Sequence, residues 1–128
     1  MRTLSPLLKK LRYKANMRVY LVDAPSGYEA EVRNADVERL TKLAGEVDLV
    51  HAFFTRIGQV QRVVPKLVRH LSPKGLVWLS YPKAKQLATD LNRDILAVIV
   101  RPIGLEAVAI VSLDAVWSAL RCKVVHAR

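Results

Sequence analysis

Three short stretches of this sequence carry side chains that could hold a ligand. The first is Asp23-Ala24-Pro25-Ser26-Gly27-Tyr28. There Asp23 could accept hydrogen bonds from a ligand hydroxyl or amine, Ser26 and Gly27 complete the turn, and Tyr28 could stack on a flat molecule. The second is Phe54-Thr55-Arg56. The third runs from Ser80 to Asp90 and places Lys83 and Lys85 ahead of Thr89-Asp90. Two ammonium groups followed by a helix start, whose free N–H groups attract anions, would suit a phosphate or carboxylate. Each stretch also has an ordinary reading. Asp23 can bond to its own turn, Tyr28 can lie on the surface, and Lys83 to Asp90 can be a solvated loop ending in a helix cap.

The remaining reactive residues point to packing. His51 sits in an apolar run and is expected to be a satisfied core histidine, and Trp117 is expected in the core. His70 and His126 have no partners at metal-ligand spacing, so no metal site is expected. Cys122 is the single cysteine, which leaves no disulfide framework and fits a reducing compartment. No nucleophile, base and orienting group can be assembled from these residues.

The elements that would position these groups follow from periodicity. Ser5-Pro6 opens a short helix over about 6–12. Residues 17–23 read as a strand, followed by a turn and a helix through Val32. Residues 37–43 suit either a helix turn or a short strand, with strand preferred. Residues 47–54 are apolar on both faces and so form a central strand. Thr55 is then expected to cap a helix with an apolar stripe from Ile57 to Leu71, kinked or restarted at Pro65. Ser72-Pro73-Lys74-Gly75 ends it, 76–81 is a second buried strand, and Thr89 or Asp90 caps a helix reaching Arg101. Residues 105–113 and 117–125 form an antiparallel hairpin. Only Ala44-Gly45-Glu46 separates 37–43 from 47–54, too short a link for two full-length parallel neighbours. The first strand therefore ends early, near Leu40, or the pair is antiparallel. The alternation implies a three-layer α/β domain, spanning 1–128, with a mostly parallel Rossmann-like sheet ending in that hairpin.

Charge is distributed unevenly. The formal net charge is +10, yet no acid occurs in residues 1–18 or from Leu49 to Thr89. Most acids fall between Asp23 and Asp48. One basic side and an anionic ligand or partner are expected, with nucleic acid as a further reading. No apolar run approaches the ~20 residues of a membrane span, so a cytoplasmic protein without membrane contact is expected. The chain is 52% hydrophobic with a mean hydropathy of +0.15, high for a small domain. The apolar helix 95–100 and the hairpin residues Val108, Ile110, Val124 and Val125 suggest a homodimer.

The segment from Val47 to Pro82 resembles the second half of a Rossmann-like methyltransferase. It has a strand opening with Asp48, a long amphipathic helix, Leu71-Ser72-Pro73-Lys74-Gly75, then a second apolar strand. Nearly the whole chain also resembles a family of small bacterial proteins of no established activity. Those residues are Pro6-Leu7-Leu8-Lys9-Lys10-Leu11, Ala24-Pro25-Ser26-Gly27-Tyr28, Pro82-Lys83, Ala88-Thr89-Asp90-Leu91 and Trp117-Ser118-Ala119-Leu120-Arg121. Methyltransferases of this fold carry a glycine-rich turn after the first strand and a carboxylate after the second. Here the turn has one glycine and a proline, and 37–43 ends in Lys42-Leu43. The departure leads to an expectation of no cofactor. The chain would be a non-enzymatic module binding an anion at Asp23, Ser26, Gly27, Tyr28, Lys83, Lys85, Thr89 and Asp90. The alternatives are a reduced S-adenosylmethionine-dependent methyltransferase and sequence-independent nucleic-acid binding through the basic face.

Overall fold

The computed structural model describes residues 3–125, so His126 lies outside it. The chain begins with α1 (Pro6–Lys10), opened by the Ser5 hydroxyl, which accepts from the Leu8 N–H at 3.2 Å. Then follow β1 (Arg18–Val22), α2 (Ser26–Arg33), β2 (Glu38–Leu40), β3 (Val47–Phe53), α3 (Ile57–Arg69) and β4 (Leu71–Pro82). The chain continues through α4 (Arg93–Ile99), a 3-10 turn (Arg101–Ile103), β5 (Leu105–Ser112) and β6 (Trp117–Val124).

The strands form one sheet in the order β2-β1-β3-β4-β6-β5. Strands β1 to β4 are mutually parallel, and β6 runs antiparallel to both its neighbours. The short link after β2 is resolved by topology. β2 ends at Leu40, and β1 lies between it and β3. Residues 41–46 reach roughly 20 Å at most. That suffices to cross two strand spacings of about 4.8 Å each and return along a three-residue strand.

Alternation along β3 divides the core. Leu49 and Phe53 face α1 and α2 and meet Leu8, Leu11, Val19, Val32 and Trp78. Val50, Ala52 and Phe54 face α3 and α4 and meet Val60, Val64, Leu67, Leu96 and Val100. Trp78 pins α1 to the sheet by donating its indole N–H to the Leu11 carbonyl at 2.9 Å.

Several boundaries differ from the sequence reading. Thr55 does not cap α3. The Gln59 side-chain oxygen accepts from the N–H groups of Thr55 and Arg56 at 2.9 and 3.0 Å, and the Asp90 carboxylate accepts from the Ile57 N–H at 2.7 Å. α3 runs unbroken through Pro65, because the carbonyl that proline leaves without a donor belongs to Gln61, which is exposed to water. β4 starts at Leu71, ahead of a bulge. Val47 pairs with Leu71 and Leu49 with Leu76, so Ser72–Gly75 loop out of register. Gly75 is required there, since a Cβ would stand 2.5 Å from the Leu71 side chain. α4 starts at Arg93 under an Asn92 cap, which accepts from the Ile95 N–H at 2.8 Å, and not under Thr89 or Asp90.

Candidate functional site

In open α/β sheets, ligands sit beyond the carboxyl ends of the strands where strand order reverses. Here that point lies between β1 and β3, because the chain goes from β1 to β2 on one side and then to β3 on the other. A cavity of about 260 Å³ opens there, lined in part by Pro25, Gly27, Tyr28, Glu31 and Phe53. Leu113 and Asp114, from the turn between β5 and β6, close its far side. A larger cavity of about 840 Å³ lies at the sheet's far edge, between Arg101–Gly104 and β5. It is remote from any strand switch, so the smaller one is the better candidate for chemistry.

The turn after β1 is built by an unusual backbone. Asp23 has φ +53°, the left-handed region that costs a non-glycine residue roughly 1 kcal/mol. Asp23 is exposed, and Ser26 and Gly27, in the first turn of α2, are exposed with it. Apart from its chain neighbours and its own helix backbone, no atom of the described residues lies within 4 Å of where a Cβ on Gly27 would stand, so that face of the helix is open.

Tyr28 does not lie on the surface. One turn of α2 swings it inward, where it is 8% exposed and joins a buried chain of polar groups. Its hydroxyl is 2.6 Å from the Tyr13 hydroxyl and 2.8 Å from Nδ1 of His51. Nε2 of His51 is 2.6 Å from the Ser80 hydroxyl. The His51 ring stacks on Phe53, with centroids 4.4 Å apart. Complete burial pushes the His51 pKa down to about 3, so the ring is neutral and bridges two hydroxyls. Burial likewise raises the Tyr13 and Tyr28 phenols above their usual range. His51 is the satisfied core histidine expected from its apolar run. Its partners are separated from it by up to dozens of residues, and nothing in the local sequence marks them.

The second group of candidate residues is spent on structure. The Lys83 ammonium donates to the Ser112 hydroxyl and the Asp114 carbonyl, both at 2.5 Å, tying β4 to the β5–β6 turn. Lys85 is exposed in a tight turn with φ +67°. The Thr89 hydroxyl donates to the Thr55 carbonyl at 2.6 Å, and Asp90 caps α3. Lys83 thus reaches the cavity wall through Asp114, whereas Thr89 and Asp90 pack against the start of α3. They do not form one anion cradle with Asp23–Tyr28. Cys122 is buried, and desolvation pushes its thiol up to about 12, which leaves it unreactive.

Sheet order, switch point and the terminal antiparallel strand together specify an architecture shared with solved proteins. A methyltransferase from Thiobacillus denitrificans, solved in complex with S-adenosyl-L-homocysteine, matches with a TM-score of 0.58 at 13% identity. The match covers 94% of this chain and 92% of that one. A ribosomal protein L11 methylase from Lactobacillus delbrueckii subsp. bulgaricus matches with a TM-score of 0.58 at 12% identity, over 94% and 77%. The mitomycin 7-O-methyltransferase MmcR gives 0.65 at 8% identity, over 88% of this chain and 50% of its own. The fold is that of the S-adenosylmethionine-dependent methyltransferases. At the level of sequence, neither a family profile nor a curated protein matches the chain.

This overturns the expectation of no cofactor. A methyltransferase of this fold was solved holding S-adenosyl-L-homocysteine, so the architecture is one that accommodates such a cofactor. The residues at the β1 turn fit such a ligand. Asp23 presents a free carboxylate, Gly27 leaves the main chain open to close approach, and Glu31 lies in a cavity walled by Tyr28 and Phe53. The residues after β2 depart from the methyltransferase pattern. Leu40 is followed by Thr41 and Lys42, and the nearby Glu29 is committed to a two-point ion pair with Arg39 at 2.6 and 2.9 Å. Pro25 also offers no N–H in the turn. Among the described residues no helix is long and apolar enough to cross a membrane.

Proposed function

We propose that this chain is a methyltransferase-like protein that takes S-adenosylmethionine at the carboxyl ends of β1 and β3. The observation that carries the reading is the strand switch, beside which the exposed Asp23 follows β1 and the open face at Gly27 and the Tyr28–Phe53 wall line one crevice. The shared methyltransferase architecture favours it over a non-enzymatic binding module for an anion.

When bound, the cofactor supplies an electrophilic methyl group on a sulfonium. The chain's own contribution is binding and orientation. Asp23 accepts hydrogen bonds from an ammonium or a ribose hydroxyl, a task that would otherwise fall to a carboxylate after β2. Gly27 lets the backbone of α2 approach the ligand. Glu31, which accepts from the Ser5 hydroxyl, places negative charge beside a positive centre. The apolar wall of Phe53 and Leu113 excludes water from one side, which strengthens these polar contacts.

Titration calorimetry with S-adenosylmethionine and S-adenosyl-L-homocysteine tests the reading. Heat of binding is expected from the unsubstituted protein. Asp23→Ala and Gly27→Leu should each weaken it about tenfold or more. The Gly27 variant adds bulk only to open space, so its fold should survive. No heat at millimolar ligand, or binding indifferent to both substitutions, defeats the proposal.

A further inference from the structure

A second cleft lies at the opposite end of the sheet from the crevice. It has a volume of about 480 Å³, and its walls carry Lys9, Arg12, Lys14 and Lys74 over a floor of Tyr13 and Leu76. Lys9 and Arg12 come from the end of α1, Lys14 from the segment leading into β1, and Lys74 from the bulge of β4. No acidic residue lines it, and among the described residues none of these cations forms a salt bridge. Arg121, on the strand beside β4, adds a further guanidinium. Its pKa is lowered by burial and then by repulsion from Arg12, with Cys122 partly offsetting, so the two guanidiniums lie near enough to feel each other.

The backbone holds Arg12 in a fixed turn beside the cleft. Arg12 has φ +67°, directly after the helix cap Leu11, with its N–H donating to the Lys9 carbonyl at 3.0 Å. Glycine is the residue that this position favours, and an arginine there is strained. Strain of this kind persists only where the surrounding structure over-determines it, as it also does at Asn16 and Lys85. Nothing in the packing asks for arginine, since its side chain is exposed.

From the cleft and its uncompensated cations we infer that this end of the sheet binds the phosphate backbone of a nucleic-acid strand. Several cations along one cleft exceed what a single phosphate can neutralise and suit successive phosphates on a chain. The floor offers no open aromatic face for a base, because Tyr13 is 3% exposed, so recognition is of backbone and not of sequence. The site is independent of the β1–β3 crevice and stands whether or not that crevice holds a cofactor.

Fluorescence anisotropy with the full chain and a labelled oligouridine of about twenty nucleotides tests it. Binding should weaken with salt at a slope of about −3 in log K against log salt, the value for four engaged phosphates on a single strand. Arg12→Gly should reduce affinity about tenfold while leaving Tm unchanged or raised, and Lys74→Ala should reduce affinity comparably. Lys66→Ala and Arg69→Ala, on α3 across the sheet, should change it less than about twofold. The inference is overturned by an absence of binding at about 50 mM salt, or by equal losses from the α3 substitutions. Binding of inorganic tripolyphosphate without binding of the oligouridine would overturn it as well.

Discussion

The Tyr28 hydroxyl stands 2.8 Å from Nδ1 of His51, inside a sheet face closed by α1 and α2. The contact joins the first helical turn after β1 to the middle of β3. It therefore fixes the floor of the candidate crevice from below.

The first prediction concerns pH. The folded pKa of His51, about 3, lies below its ordinary value of 6.5, because burial opposes the charged ring. Between those values the unfolded chain binds a proton that the folded chain refuses. Stability is therefore flat with respect to this group above pH 6.5 and falls by about 1.4 kcal/mol per pH unit below it. Urea unfolding at pH 7.5 and pH 5 should show a loss from this source of about 2 kcal/mol. His51→Gln should remove that loss. Equal pH dependence in both proteins would mean that the imidazole is not held neutral by the fold.

The second prediction separates the two tyrosines. Tyr28→Phe leaves both the Tyr13 hydroxyl and Nδ1 of His51 without a partner, whereas Tyr13→Phe leaves Tyr28 bonded to His51. A buried polar group deprived of its partner costs roughly 1–3 kcal/mol. Tyr28→Phe should thus be the more destabilising in urea denaturation. The double variant should cost less than the sum of the two, with a coupling of at least about 0.5 kcal/mol. Strict additivity would show that the hydroxyls do not act as a chain.

Why the sequence disclosed the sheet but not this network is a matter of range. Strands β3 and β4 are apolar on both faces, and the hairpin of β5 and β6 alternates around a short turn, so local pattern suffices for each. The fixed reach of a short link narrows residues 37–43 to an early end near Leu40 or an antiparallel pair, and it is the sheet order that decides for the first. The burial of Tyr28 is not legible locally, because its environment is supplied by Tyr13 and His51, which lie 15 and 23 residues away along the chain. Thr89 and Asp90 were misread as the cap of α4 for the same reason. Asn92 is an equally good local cap, and it is Ile57, a residue of another helix, that takes the Asp90 carboxylate. At the turn after β1, composition is a poor guide to backbone. Counting glycines says little about a turn whose left-handed residue is Asp23.

The third prediction follows from that capping contact. Asp90→Ala should destabilise the protein by about 1 kcal/mol, the usual value for a lost helix cap, by exposing the Ile57 N–H at the start of α3. Asp90→Asn retains an acceptor oxygen and should recover most of the loss. Thermal unfolding reads both. If neither substitution moves Tm, Asp90 does not serve α3 in solution.

The last prediction concerns self-association. β5 is the end strand of the sheet, so one row of its backbone N–H and C=O groups has no partner strand. Such edges are usually protected by proline or by charged residues. The outward side chains of β5 include Val108, 39% exposed, and Ile110, 46% exposed, with Glu106 as the only charge on the strand. Beside them lie a cavity of about 340 Å³ between α4 and the strand, and Val98 of α4 at 54% exposure. An apolar edge next to a groove that holds the Arg93–Asp94 pair beside Ala97 and Leu120 can meet its own copy under a two-fold axis, which pairs β5 antiparallel with a second β5 and covers both grooves. Light scattering at micromolar concentration should therefore give about twice the chain mass of 14.4 kDa. Ile110→Lys places a charge on the edge without touching the core and should return the protein to monomer with its Tm largely kept. A monomer mass for the unsubstituted chain at both low and high salt would exclude the pairing, and so would a dimer that survives Ile110→Lys.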